Sequence, residues 1–400
     1  MRIFFVSPYV PSPVRVRPYY WIKNLAALGH EIRLFTVVSG ADDEAALDDI
    51  RRACGSVTIA RMRPWRPAWN CARAIAGPEP LQLAWSRLPA LSRAIRTAVG
   101  QQPADVAHIE HLRAACFAPV LRPLPIVYDA VDSISLLFEQ TRVLGPRASD
   151  RWMAALDVRR TARFEATMLK RFDRVLVTSP VDAARILALS TGGAAERLVV
   201  LPTAVDLDYF QPATSPREPA TLIFSGKMSY HANVAAARAL VADIMPSVWR
   251  QRAEVRVLIV GQHPDRSVQR LARDARVTVT GQVPDLRPYL ARATLAVCPI
   301  PYGVGMQNKV LEAMASGVPV VASRLAAQSL LATVGVDLSV AESADGFATE
   351  ILRLLASPEA RATLASRGRA YVEHQHAGPV LARRLEEVYR QVMRPVRSAR

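Results

Sequence analysis

The chain has 400 residues, half of them hydrophobic, and a formal net charge of +16 at pH 7. That length predicts two domains rather than one core, while no apolar run reaches the roughly 18 residues of a membrane-spanning helix. The charge attracts phosphate-rich partners, whether nucleic acid, anionic lipid headgroups or anionic substrates, or reflects arginine-rich composition alone. With no zinc-finger spacing and no arginine run that reads as an RNA or single-strand platform, nucleic acid is not expected and a basic surface facing a membrane is the preferred reading.

The opening MRIFFVSPYVPSP is interrupted by Pro8 and Pro11 and reads as a first strand, Arg2 to Ser7, rather than a signal peptide. A helix over Tyr20 to Leu28 ends at Gly29, and Glu31 to Val38 is the next strand. Residues Trp65 to Leu91 read as irregular, rich in proline, tryptophan and arginine. Short strands follow at Val106 to Ile109 and Ile126 to Tyr128, then a long helix over Arg151 to Arg171 and a strand over Arg174 to Thr178. Ser179 and Pro180 open a helix by N-cap and N1 preference. Leu198 to Leu201 is the last strand of the first half, and the proline-rich Gln211 to Pro219 reads as an interdomain linker. Strands are then expected at Thr221 to Phe224, Val255 to Val260, Val277 to Thr280, Leu295 to Pro299 and Val318 to Ala322. Strands alternating with helices imply an α/β protein: two doubly wound parallel sheets, with ligands at the strand C-termini. The expected division is 1–210, a linker at 211–219, 220–376, and a C-terminal helix at 377–400. That helix is amphipathic and basic; it either packs back on the first domain or touches a membrane. Cys54, Cys71, Cys116 and Cys298 have neither metal nor redox spacing and fit buried thiols in a reducing cytoplasm.

The segment GVGMQNKVLEAMASGVPVVAS, Gly303 to Ser323, is the most informative. Gly303 and Gly305 permit a tight turn. A helix starts near Gln307, with Leu311, Met314 and Ala315 as its apolar stripe, and Gly317 closes it at the C′ position before Pro319. A glycine loop feeding a helix N-terminus suits a phosphate. Lys309 is placed to meet a diphosphate and Glu312 to accept bonds from a ribose diol; the plainer reading is an ordinary α/β unit with a solvated Lys and Glu. The lysines are Lys23, Lys170, Lys227 and Lys309, and the last two fall in the loops of interest.

Taken with the N-terminal strand, loop and helix ending in LGHEIRLFTV, and with TSPVDAARI, LPTAVDLDYF, LIFSGKM and GQVPDLRPYLARATLAVCP, this segment resembles the retaining glycosyltransferases of family 4. The order and spacing of these segments span most of the chain. YDAVDSISLLFE and the KMSYHAN loop resemble a subgroup associated with exopolysaccharide and exosortase loci. The resemblance implies the GT-B architecture, two Rossmann-like doubly wound domains facing a cleft. It implies transfer of a hexose from a UDP- or GDP-sugar to a glycan or lipid-linked acceptor, in the cytoplasm, with peripheral contact at the inner membrane face. Nothing here resembles the DxD motif that holds a metal in other glycosyltransferases, Asp206-Leu207-Asp208 falling within the family segment LPTAVDLDYF, so no metal and no cofactor beyond the donor are expected. A nucleotide-sugar epimerase of the same fold, or a non-catalytic relative, is the alternative.

The resemblance also assigns roles. Glu312 matches the second glutamate of the family's paired-glutamate motif, which binds the donor ribose; the first falls at Val304 and is absent. Gly226 and Lys227 in SGKM match the diphosphate contact; the family's second basic residue is replaced by SYHAN, and Lys309, near the same helix N-terminus, is a candidate to substitute for it. Gly281, Gln282 and Val283 match the turn that recognises the base, and backbone around Gly305, Met306 and Gln307 would cover the distal phosphate or sugar. Arg15 and Arg17 replace a glycine-rich turn: they reach donor phosphates, hold a lipid-diphosphate acceptor, or are solvated loop charges. For acid–base work, His108, His111, Glu110, Asp129 and Asp132 follow short strands. Either His108 or His111 is the cleft histidine near the donor sugar, with a hydrogen-bonded core residue as the alternative for His108. Asp129 and Asp132 either orient the acceptor hydroxyl or cap a helix.

Overall fold

A computed structural model describes residues 1–13, 15–145 and 147–393. The chain divides into two compact units, one of residues 1–139, 153–204 and the segment from Gly378 onward, the other of residues 140–152 and 205–377.

The first unit is built on a seven-stranded sheet of β1 (Arg2–Ser7), β2 (Glu31–Val38), β3 (Ser56–Arg61), β4 (Val106–Glu110), β5 (Ile126–Val131), β6 (Arg174–Val177) and β7 (Leu198–Val200). Their order is β3-β2-β1-β4-β5-β6-β7, and every pairing is parallel. The second unit has β8 (Thr221–Ser225), β9 (Arg256–Val260), β10 (Val277–Val279), β11 (Leu295–Cys298), β12 (Val320–Ser323) and β13 (Ser339–Ala341), ordered β10-β9-β8-β11-β12-β13 and again parallel. The helices used below are α1 (Val16–Ala27), α2 (Arg66–Ala74), α3 (Leu81–Trp85), α4 (Asn308–Ala315) and α5 (Gly378–Met393).

Parallel strands need helical crossovers, so both faces of each sheet are covered and the strands become continuous apolar runs. In β1, Phe4 and Val6 join one core while Ile3 and Phe5 join the core on the opposite face. Each such fully buried side chain contributes about 1.5–3 kcal/mol. The winding reverses between β1 and β4, and between β8 and β11. Such switch points open a crevice at the carboxyl ends of the strands.

Several expectations need correction. The boundary falls at Ala204/Val205 rather than after residue 210, and residues 140–152 group with the second unit. Residues 211–219 are not a free linker. Arg217 donates to the carbonyls of Leu290 (2.7 Å), Ser316 (2.9 Å) and Gly317 (2.9 Å), and Glu218 pairs with Arg292, so the segment is stapled to the second unit. Residues 65–91 are largely helical, in α2, α3 and the start of a helix at Pro89–Gln101. Two strands escaped the reading, the edge strand β3 and the three-residue β13. The C-terminal helix belongs to the first unit, where Leu381, Leu385 and Tyr389 are fully buried against Ile3, Phe5 and Ile22; residues 394–400 of the expected helix lie outside the described residues. Among the described residues no helix is long and apolar enough to cross a membrane.

Candidate functional site

Three glycine turns meet at the carboxyl edge of the second sheet. β8 runs into Gly226 and Lys227, β9 into Gly261, and β10 toward Gly281. Gly226 (φ +145), Gly261 (φ +151) and Gly281 (φ +71) occupy backbone regions that L side chains rarely adopt. The turns are tied together. The Gly226 N–H donates to the Val260 carbonyl (3.0 Å), the Gly261 N–H to the Gly281 carbonyl (3.2 Å) and the Met228 N–H to the Gln262 carbonyl (2.9 Å). A Cβ on Gly261 would stand 1.7 Å from the Gly226 carbonyl oxygen, so this contact admits glycine only. Gly261 was not singled out in the sequence, although a glycine directly after the apolar run VRVLIV was its signal. Lys227 projects into solvent, and among the described residues its ammonium has no hydrogen-bond partner.

The fourth element is the turn after β11. Gly303 (φ +151) donates its N–H to Gln140 Oε1 (2.7 Å), and Gly305 takes φ +67. Gln307 is the N-cap residue of α4, but its side chain does not cap; its Oε1 accepts from Lys309 Nζ (3.0 Å). Val310, Leu311, Ala313, Met314 and Ala315 face the core. The helix stops in a Schellman motif, with Gly317 (φ +64) donating to the Met314 carbonyl (3.0 Å) and Val318 to the Ala313 carbonyl (2.9 Å).

Glu312 lies off that apolar face, half-buried. Among the described residues no protein donor reaches its carboxylate. Burial pushes its carboxyl up to about 7, and only the Lys309 ammonium opposes this. Lys309 passes so close to Gly226 that a Cβ there would sit 3.1 Å from its Cε. Gly226, Lys227, Lys309, Glu312 and the turns around Gly281–Val283 and Gly305–Gln307 therefore share one edge of one sheet. A carboxylate without a protein donor and the exposed Lys227, beside Lys309 and glycine-lined backbone, suit a ligand carrying a diol and phosphates. Also in this unit, His231 Nδ1 and the buried Tyr302 hydroxyl are 2.9 Å apart with stacked rings, a pairing the sequence did not reveal.

The first-unit candidates separate into two groups. His111 and Asp132 lie at the carboxyl ends of β4 and β5, partly exposed. His111 (φ +67) and Val131 (φ +68) hold left-handed backbone, which costs about 1–3 kcal/mol per residue and marks a constrained edge. Burial lowers His111 to about 3. Burial and the nearby Asp182 raise Asp132 to about 7, although Thr178 donates to it (3.1 Å).

The other group is core. His108 is fully buried, stacked on Phe5, with Nδ1 2.8 Å from the Tyr389 hydroxyl; burial lowers it to about 4. Asp129 is fully buried and accepts from Arg17 Nε (2.8 Å) and Trp21 Nε1 (3.2 Å). Arg17 also donates to the carbonyls of Leu201 (2.9 Å) and Pro202 (3.1 Å). Neither Asp129 nor His108 is placed to touch an acceptor, and Arg17 is not placed to touch a phosphate. Arg15 pairs with Asp43 and lies over the Tyr9 ring, so it is not a solvated loop charge either. Glu110 is buried, and burial with the Asp129 charge holds its carboxyl well above the usual range. His108, Glu110 and Asp129 offer ligand atoms within 4.8 Å of one another. The Arg17 guanidinium already supplies the cation beside Asp129, and the group reads as a buried polar network.

Residues 14–204 match the model described as a glycosyl transferase 4-like domain, and residues 219–357 that of glycosyl transferases group 1. No curated protein matches the sequence significantly. Among solved structures, sucrose-phosphate synthase from Thermosynechococcus elongatus is similar at 20% identity and TM-score 0.69, over 98% of this chain and 99% of that one. Anabaena Alr3699/HepE in complex with UDP and glucose is similar at 15% identity and TM-score 0.68, over 98% and 100%. TarM, a Staphylococcus aureus protein, is similar at 8% identity and TM-score 0.68, over 97% and 98%. The two parallel-sheet units thus share the fold of these GT-B proteins. The chain belongs to the family-4-like, group 1 glycosyltransferases of GT-B fold.

Proposed function

We propose that this glycosyltransferase is a retaining enzyme that moves a hexose from a UDP- or GDP-sugar to a glycan or lipid-linked acceptor in exopolysaccharide assembly. It would work in the cytoplasm, at the inner face of the membrane, without a metal. The observation that carries the donor reading is Glu312, a half-buried carboxylate with no protein donor, one helical turn from Lys309 and beside the Gly226 turn. A ribose diol supplies the donors it lacks; Lys227 and Lys309 neutralise the diphosphate; the Gly281–Val283 turn meets the base. The solved complexes of Alr3699/HepE with UDP-glucose and of TarM with UDP and α-GlcNAc-glycerol support this reading.

In the reaction the acceptor oxygen bonds to the anomeric carbon as the bond from that carbon to the phosphate oxygen breaks. The acceptor proton passes to the departing diphosphate. The chain's part is positioning and stabilisation of the charge that builds on the leaving group. His111 and Asp132, on the constrained edge of the first sheet, are the residues for the donor sugar and the acceptor hydroxyl.

The test is thermal stabilisation by UDP, GDP, ADP, UDP-sugars, GDP-sugars and NAD. At about 100 times its dissociation constant a true ligand adds about 2.7 kcal/mol. A shift with one nucleoside diphosphate names the base; no shift with any overturns the donor site. Val304, where the family carries a sugar-holding glutamate, favours a second reading: a protein that binds the nucleotide without transferring sugar. Release of nucleoside diphosphate only when an acceptor is supplied would exclude it, and would exclude an epimerase too.

A further inference from the structure

Helix α2 is built inside out. Its inner side is small or polar and already engaged: Pro67 is buried, Asn70 Nδ2 donates to the Arg87 carbonyl (3.0 Å), and Cys71 Sγ to the Leu81 carbonyl (3.5 Å). Its outer side carries the large apolar groups. Trp65 and Trp69, one turn apart, are 54% and 55% exposed, and Trp85 on the neighbouring α3 is 44% exposed. Single exposed apolar residues are ordinary, but a cluster of tryptophans marks a covered surface. Ala68 and Ala72 complete the face, which offers no neutral hydrogen-bonding side chain between the tryptophans.

The charge around this face has one sign. Arg63 and Arg73 are exposed, and among the described residues neither has an acidic partner. The nearby acids are committed: Glu79 to Arg87, and Asp157 to the Leu81 N–H (3.0 Å). Tryptophan rings flanked by arginines that no acid answers match the headgroup boundary of an anionic bilayer. The face also lies toward the catalytic edge of its unit. α2 and α3 follow the carboxyl end of β3, and α3 packs on the turn at His111–Ala114.

We infer that the exposed surface of α2 and the residues beside it, Trp65, Trp69 and Arg73 with Arg63 just ahead of the helix and Trp85 on the adjoining α3, docks this protein on an anionic lipid surface. The inference deepens the reading above that the acceptor is carried at a membrane, and names the surface responsible. The rings lie at the headgroup level, and the arginines pair with lipid phosphates.

The test is flotation of the full chain with vesicles of phosphatidylcholine alone or mixed with phosphatidylglycerol. The chain is expected to float with the anionic vesicles only, and added salt to weaken that binding. Trp65→Ala with Trp69→Ala should lower the partition coefficient at least roughly tenfold. Arg63→Ser with Arg73→Ser should cost roughly fivefold per arginine. Both variants should keep the wild-type melting midpoint and the near-ultraviolet signal of the buried Trp21, which report that the first unit is folded. No flotation of the intact chain, or flotation untouched by both double variants, overturns the inference. Flotation of the intact chain with no nucleotide-induced thermal shift in it would overturn the donor-site reading alone.

Discussion

The Lys309 side chain lies across the turn at Gly226, where a Cβ would stand 3.1 Å from its Cε and 2.9 Å from Asn233 Nδ2. Two segments far apart in sequence thus share one wall, and glycine keeps it open. Gly226→Ala must strain a φ of +145 and push the lysine aside. The expected cost is about 1–3 kcal/mol of stability, together with weaker nucleotide binding. Calorimetric titration and thermal melts check this; unchanged values for both would remove Gly226 from the site.

Lys227 and Lys309 should matter for phosphates and not for the nucleoside. Contacts to charged groups are worth about 1.5–3 kcal/mol, so each alanine variant is expected to weaken the nucleoside diphosphate roughly ten- to a hundredfold. Affinity for the corresponding nucleoside should barely change. Equal losses for both ligands would show that the lysines hold the loop rather than the diphosphate.

Glu312 gives a pH dependence whose sign follows from its environment. Its carboxyl is raised to about 7 in the folded chain, from an ordinary 4.5. Without ligand, its contribution to stability is therefore fully present below pH 4.5 and is lost as pH rises through 7. A ribose diol prefers the ionised form, so nucleoside affinity should fall as pH drops from about 8 to 6. The nucleoside is the right probe, since it has no titrating phosphate. Glu312→Gln should flatten the profile and lower affinity at pH 8; an unaltered profile in that variant would exclude Glu312 as the titrating group.

The Arg17–Asp129 pair should behave as structure. Removing one partner of a buried ion pair leaves the other uncompensated and costs about 3–5 kcal/mol. Asp129→Ala is expected to lose that much in denaturant melts while the nucleotide affinity of the folded fraction is unchanged. A stable Asp129→Ala protein with slowed transfer would restore Asp129 to the acceptor side.

What the sequence made legible was local chemistry. The glycine turns, the Schellman stop at Gly317 and the two lysines could be read because backbone conformation and helix ends are fixed by residues a few positions apart. What it hid was partnership at a distance. Arg17 looked like a loop cation until its partner Asp129 was placed 112 residues on, and His108 is a core residue because of Tyr389, 281 residues on. The linker failed for the same reason: a proline-rich segment looks free until Arg217 is found bonded to carbonyls at the ends of two helices, from Leu290 to Gly317. The tryptophans of α2 were hidden differently, since the prolines at 64, 67, 78 and 80 made the segment read as irregular and left no helix face to assign them to.

The placement of α5 in the first unit has a consequence for how this protein is made. The unit that begins at Met1 needs Leu381, Leu385 and Tyr389 to finish its core, whereas the second unit is complete by Ala377. On the ribosome the second unit can therefore close first. The amino-terminal half must wait, with β1 and α1 already emerged and their apolar faces uncovered, until α5 has followed them.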